Sequence, residues 1–285
     1  MTIQHDEGVL TQRAVPGPAL YFVSATPAVS EGAPKAIVGI LHGYADHAAR
    51  YAHVMDRWAA QGIASVAIDM RGHGRATGPR GYCARFDEFL DDAAELARLV
   101  GDRGRGAPSF LYGHSFGALV ASLSAMESPR SWRGLVLSSP YFGLALEVPA
   151  AKVFAGRIAS RLVPKLGLPS GLKGTAMSHD PQRARAYDAD PLIFKNATAR
   201  WFTETTKAQA QAIARAPQLR LPLYVMPGGA DPIAKVADAK RFYDAAGSPD
   251  KTWDERPGLF HEVLNEPEWP ALTDKLGGWI LAHAS

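Results

Sequence analysis

Ser109-Phe110-Leu111-Tyr112-Gly113-His114-Ser115-Phe116-Gly117 is the stretch that decides the fold. A short apolar run, Phe110 to Tyr112, leads into Gly-His-Ser-Phe-Gly, and an alanine-rich helical segment, Ala118 to Met126, follows at once. Strand, sharp turn and helix in direct succession form the setting in which G-x-S-x-G carries chemical meaning. The turn strains the serine backbone and lifts its hydroxyl clear of a sheet. Gly113 and Gly117 suit the neighbouring positions because a side chain there would collide across so tight a turn. A helix starting at the serine also aims backbone N–H groups and its positive dipole end at any charge formed there. A chance glycine-rich turn could match five residues, but it would not supply the strand before and the helix after. Ser115 is therefore the candidate nucleophile.

Outward from this stretch, Lys35 to Leu41 is nearly continuous in apolar residues, as a central strand buried on both faces requires, and it ends in His42-Gly43-Tyr44. A helix is predicted over 47–61, with Tyr51, Val54, Met55 and Trp58 at helical spacing and Gly62 as its stop. Ser65 to Asp69 reads as the next buried strand, and Phe86 to Val100 repeats the helical period. Trp132 to Ser139 is another strand, closed by Pro140, while Ala19 to Ala25 reads as an early antiparallel one. Strands alternating with helices of this length imply a mostly parallel sheet covered on both faces. The alternation breaks from Tyr141 to Pro217, a stretch too long to be a plain loop in a compact domain. A helical cap is expected there, with amphipathic segments over 144–163 and 196–216. The alternation resumes with Leu221 to Met226, a helix over 235–246, a short strand over 251–256 and a last helix over 268–283. The expected organisation is a core of 1–140 and 218–285 carrying a cap insertion of 141–217.

Composition narrows the classes open to the chain. In 285 residues, 47% hydrophobic and 21% charged, a sizeable core can form. A net charge of +3 is too small an excess to point to nucleic acid. The single cysteine, Cys83, cannot form an intramolecular disulfide, has no partners for a metal site, and reads as a reduced structural thiol. The first residues lack the basic and apolar segments of a secretory signal, and no uninterrupted apolar run approaches the ~18 residues of a membrane span. A cytoplasmic protein is expected.

A nucleophilic serine needs a base and a group to orient that base. Of the nine histidines, His5 and His283 lie near the ends, His53 falls within a helix and His179 within the cap. His114 adjoins Ser115, so its side chain is expected to point elsewhere on the turn. His42, His47 and His73 follow strands and are not dismissed by position alone. His261 follows the last strand and comes last in the order Ser, Asp/Glu, His that this architecture requires, which makes it the base. The acid should follow a strand between the two, and Asp231, in Pro227-Gly-Gly-Ala-Asp231-Pro-Ile233, does so. Its alternative role is to cap the following helix. Asp238 lies within that helix, and Glu262 is too close to His261 in sequence to be preferred. An oxyanion hole needs two backbone N–H donors. Phe116, next to the nucleophile, and Tyr44, after the Ile37–Leu41 strand, are the candidates.

With these residues in place the sequence resembles the α/β-hydrolase superfamily, and within it the monoacylglycerol lipase and lysophospholipase group. The matching stretches are Leu41-His-Gly-Tyr-Ala-Asp-His-Ala-Ala-Arg-Tyr51, Asp69-Met-Arg-Gly-His-Gly-Arg-Ala-Thr-Gly-Pro-Arg-Gly81, Gly113-His-Ser-Phe-Gly117, Asp231-Pro-Ile233 and His261-Glu262. The second is the discriminating one, because many other α/β-hydrolases lack it. The resemblance implies an eight-stranded sheet, a helical cap over the serine, hydrolysis of esters with one acyl chain, and a supporting role for the Arg71–Gly74 loop, so His73 stays outside the catalytic set. Phe116 stands where relatives often carry Met, a change that affects pocket shape more than chemistry. No metal or organic cofactor is implied.

The expected activity is cleavage of monoacylglycerols through an acyl-serine. Lysophospholipase or short-chain carboxylesterase activity is the alternative, and a non-catalytic binding module is the reading from another class. The cap's apolar residues (Leu144, Leu146, Val148, Val153, Phe154, Ile158, Leu162, Val163, Leu166, Leu168) exceed what a lid over a polar substrate needs, and packing of one face on the core accounts for only part of them. Interleaved Lys152, Arg157, Arg161 and Lys165 would suit a helix lying on a membrane surface, so an acyl-chain tunnel and peripheral membrane contact are both expectations.

Overall fold

The computed structural model describes residues 2–12, 17–28, 32–145 and 150–285, and of these the side chains of 150, 152 and 153 are outside the description. The chain opens with an antiparallel pair, β1 (Ile3–Leu10) and β2 (Leu20–Pro27). Alternation follows: β3 (Ala36–Leu41), α1 (Ala52–Ala59), β4 (Ile63–Asp69), α2 (Asp87–Gly104), β5 (Ser109–His114), α3 (Phe116–Glu127) and β6 (Gly134–Ser138). An inserted segment then leaves the sheet as α4 (Ala150–Leu162), β7 (Gly167–Pro169), α5 (Pro181–Ala189), β8 (Asn196–Thr198) and α6 (Ala199–Arg215). The chain returns as β9 (Leu223–Met226), α7 (Val236–Ala245), β10 (Lys251–Trp253) and α8 (Trp269–Ala282).

The main sheet has eight strands in the order β1-β2-β4-β3-β5-β6-β9-β10. Only the β1–β2 and β2–β4 pairs are antiparallel. Strands β3 to β6 and β9 are buried almost throughout, which their near-continuous apolar composition demands once helices cover both faces. Alternate residues point to opposite sides. Val38, Ile40, Phe110, Tyr112 and Val136 pack with α1 and α8, while Ile37, Leu41, Leu111, Leu135 and Leu137 pack with α2, α3 and α7.

This strand order positions the site. β4 lies on one side of β3 and β5 on the other, so the loops leaving β3 and β5 part at the carboxyl edge and leave a crevice. Leu41 pairs with Gly113, so the His42–Tyr44 loop and the Ser115 turn emerge side by side.

Several elements differ from the sequence expectation. β1 was not anticipated: its residues are mostly polar and exposed, and it is a strand because eight of its residues pair with β2. The inserted segment is not wholly helical, since β7 and β8 form a two-stranded antiparallel sheet. The 47–61 helix begins as a single tight turn over Ala48–Tyr51 before α1. Leu146 and Val148 lie outside the described residues, as do the side chains of Lys152 and Val153. No described helix is long and apolar enough to cross a membrane.

Candidate active site

Ser115 sits between β5 and α3 with φ +53° and ψ −117°, a strained backbone for a residue with a side chain. Neighbouring strands hold the strain: the Ser115 N–H donates to Ser138 O at 2.9 Å, and its carbonyl accepts from Tyr141 N at 3.1 Å and Ala118 N at 3.0 Å. The flanking glycines are required by close approach. A Cβ on Gly113 would overlap the Gly117 carbonyl, and a Cβ on Gly117 would overlap the carbonyls of Leu41 and His42. The second collision is with another strand's end, so Gly117 also sets how closely the serine approaches the loop after β3.

His261 and Asp231 meet at this turn. His261 Nε2 lies 2.8 Å from Ser115 Oγ, and His261 Nδ1 lies 2.7 Å from Asp231 Oδ2. Both are within the hydrogen-bonding reach of a nucleophile, base and orienting acid. Asp231 follows β9, and its other oxygen, Oδ1, accepts from the N–H groups of Ile233 at 2.8 Å and Ala234 at 3.0 Å. One oxygen thus fixes the turn, leaving the second free to face the imidazole. Burial opposes the ionised form of Asp231, yet the imidazole and these two N–H groups hold its carboxyl below the ordinary value. An ionised Asp231 only accepts, so Nδ1 carries the proton and Nε2 takes the hydrogen bond donated by the serine hydroxyl. Burial works against a charged His261, but the Asp231 carboxylate outweighs it and raises the imidazole above its ordinary value.

The remaining histidines fall elsewhere, with one difference from expectation. His114 lines the same cavity as Ser115, with its ring 4.9 Å from that of His261, so it does not point away from the site. Burial first, then His261, lowers it to about 4, which keeps it neutral at pH 7. His42 accepts from the Met70 N–H at 3.1 Å through Nε2, and the ring of His73 lies between Tyr44, Phe194 and Phe116. His47 contacts Asp190 of the inserted segment at 2.9 Å. Tyr44, after β3, lines the cavity, and Phe116 is the first residue of α3, where a backbone N–H has no partner within the helix.

Sequence reasoning passed over a buried charged group under the site. Arg50 Nη1 donates to Asp46 Oδ1 at 2.9 Å, and both Arg50 terminal nitrogens donate to Glu262 at 2.7 Å. Asp46 also accepts from the Tyr51 hydroxyl at 3.0 Å and the His47 N–H at 2.8 Å. Glu262, weighed above as an orienting acid, is instead the partner of Arg50. Burial opposes both carboxylates, and Arg50 more than offsets it, holding each below its ordinary value. The available signal was the crowding of Asp46, His47, Arg50 and Tyr51 in one loop. Nothing there marks a partner 212 residues away.

A cavity of about 630 Å³ opens on Ser115 and His261. The inserted segment supplies much of its wall, including Ala155, Ala159, Leu166, Leu168, Trp201 and Phe202, and Asp46 and Glu262 also line it. Among the described residues no lysine or arginine lines it, and no cluster of three or more His, Cys, Asp or Glu side chains could hold a metal ion.

Chain order, the serine turn at the switch point and the Ser–His–Asp contacts are those of the α/β-hydrolase class. The chain belongs to the family described as "Serine aminopeptidase, S33", whose model matches residues 32–268. It is 32% identical over 252 residues to a monoacylglycerol lipase of Mycolicibacterium smegmatis, covering 88% of this chain and 89% of that one. It is 31% identical over 238 residues to phospholipase YtpA of Bacillus subtilis, covering 82% and 91%. Among solved structures, a monoacylglycerol lipase of Paleococcus ferrophilus superposes with a TM-score of 0.82 at 26% identity, covering 93% of this chain and 99% of that one. The family description names a peptidase, but these relatives are named for ester substrates. The protein is a carboxylic-ester hydrolase of lipase type.

Proposed function

We propose that this hydrolase cleaves monoacylglycerols to fatty acid and glycerol, with Ser115 as nucleophile, His261 as base, Asp231 as the acid orienting it, and the Tyr44 and Phe116 N–H groups as oxyanion donors. His261 Nε2 takes the proton from Ser115 Oγ as that oxygen attacks the ester carbonyl. The imidazolium is stabilised by Asp231 and returns the proton to the departing glycerol oxygen, leaving acyl-Ser115. Water, deprotonated by the same nitrogen, attacks the acyl group and releases the fatty acid and the free serine. Residues 141–217 serve as the cap that selects substrate.

The observation that carries the substrate reading is the charge pattern of the cavity. Its cap-side wall is mostly apolar, and its volume lies within the ~300–1,000 Å³ of small-molecule sites. The carboxylates that line it are Asp46 and Glu262, with Arg50 bonded to both. Two carboxylates against one guanidinium leave one negative charge, with the cation already engaged. Neutral glycerol hydroxyls can donate to such acceptors, whereas a phosphate-bearing head group meets like charge with no free cation. The Tyr187 hydroxyl, buried beside the cavity with no partner among the described residues, offers a donor to the same glycerol. The M. smegmatis relative's name agrees with this reading, while the B. subtilis relative is named for a phospholipid substrate instead.

The deciding experiment compares hydrolysis of monoacylglycerols from C8 to C18 with that of lysophosphatidylcholine and diacylglycerol, using Ser115→Ala as the blank. Preference for monoacylglycerols is expected. Equal or faster cleavage of the lysophospholipid, or activity on short esters only, would overturn the substrate reading.

The cap also supplies a lipid-facing surface in this proposal. On α4, Ala155 and Ala159 line the cavity, while Phe154, Ile158 and Leu162, one helical row, are 65%, 45% and 76% exposed. Arg157, Arg161 and Lys165 stand among them in solvent. Apolar residues turned outward with flanking cations are the pattern of a helix that lies in a lipid interface.

A further inference from the structure

We infer that Tyr44 is a positioning residue through which the cap holds the oxyanion donors in register, its N–H serving the oxyanion while β8 and α6 grip its side chain. The inference rests on the reading of Tyr44 and Phe116 as those donors. The Tyr44 hydroxyl donates to the Asn196 carbonyl of β8 at 2.8 Å, across 152 residues of sequence. Burial pushes this phenol up, so it stays a donor throughout the working pH range. Its ring centroid lies 3.7 Å from that of Trp201 in α6, and Phe194 stands edge-on at 5.2 Å. The Phe116 ring is 6.2 Å from Tyr44 and 5.3 Å from the same Trp201. The side chains of both donor-bearing residues therefore converge on one indole of the cap.

The cap is fastened where this contact is made. Thr198 donates to the Gly81 carbonyl through Oγ1 at 2.7 Å and through its N–H at 3.3 Å. Thr198 Oγ1 also accepts from the Trp201 N–H at 3.3 Å, capping α6 and setting where the indole stands. A side chain at Gly81 would collide with the Tyr44 hydroxyl, so the Gly78–Gly81 turn leaves the space that the phenol fills. The loop at Tyr44 needs such a hold. Its neighbours are Gly43, whose backbone is intrinsically free, and Ala45, whose φ of +61° is unfavourable for a residue with a Cβ. An oxyanion donor is effective only if its peptide plane is already aimed when charge develops. Here a phenol anchored at both ring and hydroxyl aims it.

The test uses the full chain with Tyr44→Phe, Trp201→Phe and Trp201→Leu. Three quantities are measured: kcat and KM on a monoacylglycerol, inhibition by a trifluoromethyl ketone of the same acyl length, and binding of the matching non-hydrolysable monoalkyl ether. The ketone places an oxyanion in the hole, and the ether does not. Tyr44→Phe keeps the ring and loses one hydrogen bond, so kcat should fall by about 3–10-fold with KM unchanged. Ketone inhibition should weaken by the same factor while ether binding holds. Loss of a donor outright, about 10²–10³-fold, bounds the effect. Trp201→Leu should weaken the ketone relative to the ether by more than Trp201→Phe does. Equal weakening of ketone and ether, or an effect confined to KM, overturns the inference, as does a Tyr44→Phe enzyme identical to the parent. If Trp201→Leu does not fold, Tyr44→Phe decides alone. If the parent does not favour the ketone over the ether, or Ser115→Ala keeps that preference, the oxyanion reading itself fails. If the parent shows the preference and Tyr44→Phe retains it in full, that reading stands and only the cap's role falls.

Discussion

Replacing Arg50 with Met would leave two buried carboxylates without their cation. The side chains of Arg50, Asp46 and Glu262 are 13%, 4% and 6% exposed, so solvent cannot take over the role of the guanidinium. Removing one partner of a buried ion pair costs about 3–5 kcal/mol, chiefly through the stranded charge. At ~2–4 °C per kcal/mol for chains approaching this size, the melting temperature should fall by roughly 6–20 °C. The pH dependence follows from the directions of the carboxylate shifts. In the parent, Asp46 and Glu262 lie below their ordinary values, so their contribution is present above the unfolded carboxylate range and is lost only as pH falls through the depressed folded values. The parent should therefore be insensitive to this group between pH 8 and pH 5.5. Without Arg50, burial dominates and raises at least one carboxylate, so the folded state takes up a proton as pH falls. The deficit should then be larger at pH 8 than at pH 5.5. Calorimetry at the two values reads both effects, and Arg50→Met/Glu262→Gln should recover part of the loss by removing one stranded charge. A loss below about 1 kcal/mol, the range of an exposed pair, or one equal at both pH values, would refute the reasoning.

Two further outcomes follow. As the proposed base, His261 can act only when neutral, so its raised pKa should place the acid limb of the kcat/KM profile above pH 6.5, the ordinary histidine value. Asp231→Asn removes the charge that raises it, so kcat should fall by about 10⁴-fold, the loss seen for the same substitution in a serine protease triad, and the limb should move to lower pH. An unmoved limb would show that another group titrates. Flotation with anionic phospholipid vesicles should carry the parent upward, and Phe154→Ser/Leu162→Ser should abolish this while cleavage of a soluble short-chain ester is retained. A parent that stays at the bottom removes the membrane part of the proposal.

The central strands and the serine turn were legible because their causes are local. Residues of β3 and β9 are apolar at nearly every position, as is the Phe110–Tyr112 run of β5, which burial on both faces explains, and Gly113-His-Ser-Phe-Gly117 carries its strand and its helix beside it. That Asp231 and His261 meet at Ser115 could be expected from chain order, because each follows a strand of the same sheet. Helix α5 left a local mark as well, Asp180 before Pro181, with the carboxylate accepting from the Gln182 N–H at 2.8 Å, but its polar surface hid the period. β1 is mostly exposed and exists through its pairing with β2, so no burial pattern marks it.

What only the tertiary structure decided is which distant loops meet around the serine. Arg50 meets Glu262 across 212 residues and Tyr44 meets Asn196 across 152, and each pair joins two segments whose own compositions are ordinary. The inserted segment shows the same division: its amphipathic stretches are readable, but whether Leu166 faces the cavity and Phe154 the solvent depends on how it docks. Local composition determines whether a stretch becomes strand, turn or helix, because backbone sterics and burial act over a few residues. The partner of a buried charge or a phenol is set by where the sheet delivers the ends of separate strands, and that is a property of the assembled chain.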